Sequence, residues 1–213
     1  MSQGKHPRLR KDARSGPVET KNCPRLRVRF DPRMRFRTTG CSAAWLEVLG
    51  RNLLGRKVAV VRSGGQSGVD RAALHAAVAL GLPVTGWVPQ GGWAEDSPEP
   101  PGVLAEFPEL RQTPSPNPSQ RTLWNVRNCD AVLVLRPPSA RSPGTGLTEE
   151  AARELSRPLF VVEDFNLQSV QSVIQWLSSL DDGVTLNVAG PRESEVPGVY
   201  EDALTFLKEV LAA

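Results

Sequence analysis

Val58-Ala59-Val60-Val61-Arg62-Ser63-Gly64-Gly65-Gln66-Ser67-Gly68-Val69-Asp70-Arg71 decides how this chain reads. A short β-branched apolar run ends in a serine and a glycine pair, a third glycine follows at 68, and an Ala/Leu-rich stretch continues from it. That order describes a buried strand feeding a helix through a glycine-rich turn. Such a turn brings main-chain N–H groups and the positive end of a helix dipole to one point, which favours an anion and most often a phosphate. Ser63, Gly64, Gly65, Gln66, Ser67 and Gly68 are therefore candidate ligand-binding residues. The turn is not a Walker A loop, because no Lys-Ser/Thr pair follows the second glycine. As Ser63-x-Gly65-x-x-Gly68 it overlays a dinucleotide fingerprint, yet the acid required about twenty residues on is replaced by Thr85-Gly86-Trp87. Nicotinamide dinucleotide binding is excluded on that criterion.

The residues just beyond the turn have local readings too. Ser67-Gly68-Val69-Asp70 has the form of a capping box, with Asp70 complementing the dipole. Arg71 falls in the first helical turn, where a cation opposes the dipole, so it serves a ligand or a salt bridge, with Asp70 one available partner. His75 lies off the apolar stripe and reads as solvated.

With 213 residues the chain can bury a full core, as one domain with or without an appendage. No run is apolar for the length of a membrane span, no signal peptide opens the chain, and no membrane partner is expected. Cys23, Cys41 and Cys129 are widely spaced and form no C-x-x-C pair, which supports neither a disulfide framework nor a metal site and fits a cytoplasmic protein. Residues 1–37 hold twelve Lys/Arg and three acids, +9, so with a whole-chain charge of +3 the remainder carries −6. An acidic body argues against a broad nucleic-acid face and leaves only the N-terminal arm for such a partner. Residues 1–50 are Arg/Pro-rich without sustained period and are expected to be disordered. A basic arm, an Arg-rich targeting peptide spoiled by its prolines, and a bland extension from an over-long start remain open. Cys41 to Leu54 reads as a short helix with Trp45 and Leu49 on one side.

Residues 51–213 are expected to form a Rossmann-like ligand-binding domain, and from Lys57 the pattern is regular. Strands are expected at Lys57–Arg62, Pro83–Val88, Asp130–Leu135, Pro158–Val162 and Val184–Ala189. Between them lie a helix from Gly68 to Leu80, a long Pro/Gly loop from Pro89 to Pro116, and a helix begun by Asn117-Pro118. A third helix enters through Gly144-Thr145-Gly146 and ends near Arg157. A fourth is capped by Asn166 with Leu167, Val170, Ile174 and Leu177 inward, and a last runs from Val199 to Leu211. Five strand–helix alternations specify a doubly wound α/β domain, mainly parallel, with helices on both faces. Ligands of such sheets bind beyond the carboxyl ends of the strands. The loops Ser63–Arg71, Trp87–Trp93, Pro137–Thr148 and Gly190–Pro197 converge there, and they carry Trp87, Gly144, Thr145, Arg192 and Ser194. Arg121 and Asn125, four apart on one helix face, add a guanidinium able to fork onto a phosphate and an amide suited to tying loops together.

Ser63-Gly-Gly-Gln-Ser-Gly-Val-Asp-Arg-Ala-Ala-Leu74 resembles the signature of the "putative molybdenum carrier" family. That family is Rossmann-like and stands in the SLOG superfamily with the LOG phosphoribohydrolases and DprA. The resemblance continues in Gly86-Trp87-Val-Pro89, Ala94-Glu95-Asp96, Gln120-Arg121-Thr122-Leu-Trp124-Asn125-Val126-Arg127, Gly144-Thr145-Gly-Leu147-Thr148 and Asn187-Val-Ala-Gly190-Pro191-Arg192-Glu193-Ser194. It implies a bound nucleotide-like or molybdopterin-like molecule, such as the molybdenum cofactor or a nucleotide; from their own chemistry, Trp87 and Trp93 are candidates to stack on a planar ring. In the phosphoribohydrolases an acid follows Gly-Thr at a spacing that here falls on Thr148. Glu149 and Glu150 are thus weak candidates for catalysis, and dipole complementation accounts better for both. Two departures stand out. Gln90, Gly92 and Trp93 occupy places where basic residues are expected, and Pro143 precedes Gly144 where the family has glycine. Binding of a phosphate-bearing ligand is the leading reading, and nucleoside-monophosphate hydrolysis of the LOG type is the alternative. Self-association is left open.

Overall fold

The computed structural model describes residues 56–213; the expected disorder of residues 1–50 and the short helix at Cys41–Leu54 lie outside the described residues. Among the described residues seven strands form two sheets: β1 (Val58–Arg62), β2 (Val84–Thr85), β5 (Ala131–Leu135), β6 (Leu159–Val162) and β7 (Val184–Ala189) in one, and β3 (Trp87–Val88) with β4 (Arg111–Gln112) in the other. The five-stranded sheet has the order β2-β1-β7-β5-β6, and all its pairs are parallel. Helices α1 (Val69–Ala79), α2 (Pro118–Arg127), α3 (Pro143–Glu154), α4 (Leu167–Ser178) and α5 (Val199–Ala212) connect or close the strands.

β5 shows why the sheet is covered on both sides. Every residue of its Ala-Val-Leu-Val-Leu run is buried. Ala131, Leu133 and Leu135 enter one core with α1, α4 and α5, while Val132 and Val134 enter another with Val126 of α2 and Ala151 and Ala152 of α3. Side chains alternate across a strand, so a strand buried on both faces must be apolar throughout. The chain is a Rossmann-like doubly wound α/β fold.

Two sequence expectations need correction, and the strand order adds a feature the sequence reading did not address. The second expected strand, Pro83–Val88, divides at Gly86: Val84 and Thr85 pair with β1, whereas Trp87 and Val88 pair with β4. Gly86 packs against the Ser63 carbonyl, where a Cβ would lie 1.8 Å from that oxygen, so the chain turns out of the main sheet at a residue without a side chain. Leu167, expected inward, is 71% exposed at the first position of α4, and Val173 fills the core instead. The last strand in sequence, β7, enters the middle of the sheet and separates β1 from β5.

Candidate ligand-binding site

β1 leads outward to β2 on one side and β5 outward to β6 on the other, with β7 between them. The reversal of strand order, where such sheets open a crevice, therefore flanks the carboxyl end of β7. A cavity of about 390 Å³ lies there. The loop after β7 supplies Gly190, Arg192 and Glu195, the start of α3 supplies Ser142, Gly144, Thr145 and Thr148, and the start of α2 supplies Ser119, Arg121 and Thr122. Gln66 and Asp70 complete the wall.

Both helix starts follow from local sequence. The Asn117 side chain accepts from the Ser119 amide at 2.9 Å, with Pro118 at the first helical position. Ser142 caps α3: its hydroxyl oxygen accepts from the Thr145 amide at 3.4 Å and from the Thr145 hydroxyl at 2.9 Å. Pro143, whose fixed φ suits a first turn, makes α3 begin before the Gly144-Thr145-Gly146 segment rather than after it. A Cβ at Gly144 would meet nothing within 4 Å.

The wall facing the glycine turn is a buried ion pair. Arg121 Nη1 lies 3.1 Å from Asp70 Oδ2, with side chains 13% and 4% exposed. Gly64 makes room for it: a Cβ there would stand 1.9 Å from Arg121 Nη1 and 2.7 Å from Asp70 Oδ2. Burial raises the Asp70 carboxyl above the usual carboxylate range, against the opposing effect of Arg121 and of the Gln66 and Gly190 amides. Arg121 Nε is buried with no hydrogen-bond partner among the described residues. The expected capping box at Ser67–Asp70 does not form, because the N-cap of α1 is Gly68, which has no side chain to cap with, and Asp70 turns instead to Arg121.

The glycine turn lies behind this wall. Residues 63 to 70 are all buried. The Ser63 hydroxyl donates to the Val188 carbonyl at 3.1 Å, and Gly65 packs on Val103 and Leu110. The Ser67 amide donates to Gln66 Oε1 at 3.0 Å and the Val69 amide to the Pro191 carbonyl at 3.2 Å. Gly68 meets the main chain of Pro191 and Glu193. Of the six turn residues named from sequence, Gln66 alone lines the cavity.

Ser67, Gly68, Arg71 and Ser194 face a neighbouring groove of about 650 Å³. Arg71 donates to the Gly65 carbonyl and pairs with Asp96 and Glu106, each at 3.2 Å, so its partners are not Asp70. Glu95 gathers the hydroxyls of Ser67 and Ser194, the latter at 2.6 Å. Burial pushes the Glu95 carboxyl up, but those hydroxyls, the Ser194 amide and Arg192 together hold it below its usual value. His75 is not freely solvated: its ring nitrogens meet the Tyr200 hydroxyl at 2.7 Å and Glu106 at 2.6 Å.

Trp87 packs edge-on against Trp124, with ring centroids 4.7 Å apart, and does not line the cavity. Asn125 spends its amide on the Trp87 main chain, accepting from N–H at 2.8 Å and donating to C=O at 3.0 Å. It ties loops together, as its position on α2 suggests. Glu149 is bound by Arg136 at 2.9 Å and Arg153 at 2.8 Å, and Glu150 is exposed. Neither glutamate reaches the cavity, where Thr148 stands instead. Arg121, Gly144, Thr145, Arg192 and Gln66 are thus brought together. Ser142 and Thr148 lie in the expected Pro137–Thr148 loop and Glu195 in the expected Gly190–Pro197 loop, but sequence reasoning singled out none of the three as a wall, although Ser142-Pro143 is a cap signal.

The model of the circularly permutated YpsA SLOG family matches residues 61–211. The crystal structure of the "putative molybdenum carrier protein" from Syntrophus aciditrophicus SB matches with a TM-score of 0.65 and 31% identity, over 74% of this chain and 97% of that one. No curated protein matches the chain. The strand order agrees with a permutation: relabelled from the centre, β7, β1, β2, β5 and β6 take the places of strands one to five in a 3-2-1-4-5 sheet, with the first moved to the end of the sequence. With its match spanning most of the described residues, the chain belongs to the circularly permutated YpsA SLOG family.

Proposed function

We propose that the chain binds a phosphate-bearing small molecule, nucleotide-like or molybdopterin-like, in the cavity at the end of β7. The observation that carries this reading is the convergence of two capped helix starts, at Pro118 and Pro143, on one cavity with Arg121 and Arg192 in its wall. Helix N-termini favour anions and guanidinium groups bond phosphate oxygens. The neighbour's name as a molybdenum carrier fits a ligand of this kind. Among the described residues no His/Cys/Asp/Glu group is placed to hold a bare metal ion, so the donors suit an oxyanion or a phosphate ester. Binding without turnover is favoured over hydrolysis, since Thr148 occupies the cavity and Glu149 is consumed by two arginines.

Calorimetric titration of the full chain with nucleoside monophosphates, combined with chromatography for released base, tests this. Saturable binding without release is expected. Release of base that Glu149→Gln or Glu150→Gln abolishes would establish the hydrolase, and absence of any binding would remove the proposal. Mass spectrometry of small molecules that copurify with the native protein would identify the ligand directly.

A further inference from the structure

We propose that the cavity reads the 2-amino-4-oxopyrimidine edge that guanine and pterins share, with Glu195 accepting from its N–H groups and Gln66 donating to its oxo oxygen. The inference rests on the reading of the cavity as a phosphate-ester site and names the ring of that ester. It starts from a charge that a phosphate does not explain. Glu195 lines the cavity half-buried, its Oε2 accepts from the Arg192 amide at 2.9 Å, and no cation is paired with it among the described residues. The neighbouring carboxylates are answered: Asp70 by Arg121 at 3.1 Å, and Glu95 by the hydroxyls of Ser67 and Ser194. The Arg192 guanidinium is turned to Glu95 at 4.0 Å and to the Trp93 ring. An unpaired carboxylate repels a phosphate, so it suits an uncharged part of the ligand that carries hydrogen-bond donors.

Gln66 supplies the complement. It is 4% exposed, and its Oε1 accepts from the amides of Ser67 at 3.0 Å and Glu95 at 2.8 Å. Two N–H donors on one atom identify that atom as the oxygen, so the NH2 group stands on the other branch of the amide. That NH2 has no acceptor among the described residues, and Gln66 lines the cavity. A buried donor without an acceptor is costly, and a ligand oxygen removes the cost. Gln66 and Glu195 belong to one wall, because Gly68 packs against the main chain of Pro191, Arg192 and Glu193 and the Val69 amide donates to the Pro191 carbonyl. A fixed donor beside a charged acceptor matches guanine and pterins, whose ring N–H and 2-amino group suit the carboxylate and whose oxo group suits the amide. Adenine presents the reverse, an amino group in place of the oxo and a lone pair in place of the ring N–H. The volume of about 390 Å³ is within the range of small-molecule sites.

Calorimetry on the full chain at pH 7 compares the 5′-monophosphates of guanosine, inosine, adenosine and xanthosine, with the phosphate ester of 6-hydroxymethylpterin as the pterin arm. Guanosine monophosphate is expected to bind roughly tenfold more tightly than inosine monophosphate, which lacks only the 2-amino group, and inosine monophosphate roughly tenfold more tightly than adenosine monophosphate. Whichever of the guanosine and pterin esters binds more tightly identifies the source of the shared edge. In Glu195→Gln the wall can donate where it accepted, so xanthosine monophosphate, with an oxo group at position 2, is expected to gain roughly tenfold and guanosine monophosphate to lose as much. A gain of that kind cannot come from a damaged fold. Should Glu195→Gln not fold, Glu195→Ala decides the same point and is expected to bind the guanosine and inosine esters alike. Wild-type protein that binds those two alike, or a variant that keeps the wild-type order of affinities, overturns the part given to Glu195. Equal binding of the inosine and adenosine esters by the wild type overturns the part given to Gln66. Equal binding of all four nucleotides overturns the inference and leaves the phosphate-ester reading standing. Binding of none of the five esters removes that reading and the inference with it.

Discussion

Single residues hold this site through the space they leave as much as through the groups they carry. Gly86 and Gly144 make the contrast. A Cβ at 86 would lie 1.8 Å from the Ser63 carbonyl oxygen, a main-chain atom that cannot yield without parting β1 from β2. Gly86→Ala is therefore expected to destabilise the fold by about 2 kcal/mol or more, read from the urea midpoint. A Cβ at 144 meets nothing, so Gly144→Ala is expected to leave stability unchanged or raise it by up to ~1 kcal/mol, since alanine favours a helix. Because that open space borders the proposed ligand, the same variant is expected to weaken titratable binding of phosphate esters severalfold. Cys129 illustrates burial at the same scale. Desolvation pushes its thiol up to about 11, so at pH 8 it is expected to resist maleimide in the folded protein and to label in urea, as peptide mapping would show.

Between elements, two polar groups carry connections that the sheet does not. Asn125 joins α2 to β3 by two hydrogen bonds, at 2.8 and 3.0 Å. Asn125→Leu removes both and leaves the Trp87 amide and carbonyl unanswered; a loss of roughly 2 kcal/mol is expected, with faster hydrogen exchange at Trp87 and Val88. Glu95 joins the loop after β3 to Ser67 before α1 and Ser194 before α5. Its folded carboxyl titrates below its ordinary 4.5. The stabilisation it supplies is thus fully present above pH 4.5 and is lost as pH falls through the folded value. Asp70 has the opposite sign: its carboxyl is raised, so its ionised form opposes folding above that raised value, and the opposition lifts on acidification. Urea midpoints measured from pH 6 to pH 3 are expected to fall less steeply in Glu95→Gln than in the wild type.

For the whole molecule, the uneven charge of the sequence separates two questions. The first 37 residues carry +9 and the rest −6. The cavity, both sheets and the three hydrophobic clusters described are built within residues 56–213. A chain beginning at residue 51 is therefore expected to unfold cooperatively with the same urea midpoint and to keep the phosphate-ester binding of the full chain. Any DNA binding with steep salt dependence is expected to vanish with the same truncation. A truncated chain that binds no ester would place residues 1–50 in the site.

Local sequence determined the elements and their ends. The apolar run of β5 and the Asn117-Pro118 and Asn166 starts follow from side-chain period and capping, both of which act within a few residues. Five strand–helix alternations were enough to specify a parallel sheet covered on both faces, and the chain's motifs were enough to suggest its family. The place of the cavity was decided only in three dimensions. The glycine turn after β1 has the local form of an anion cradle, yet Asp70, Gln66 and Pro191 take its position or its donors. The cavity opens instead beside β7, the last strand, which inserts between β1 and β5. Parallel pairing joins segments far apart in sequence, so which strands are neighbours depends on how whole faces bury one another. In a permuted chain the order of residues does not reveal that adjacency.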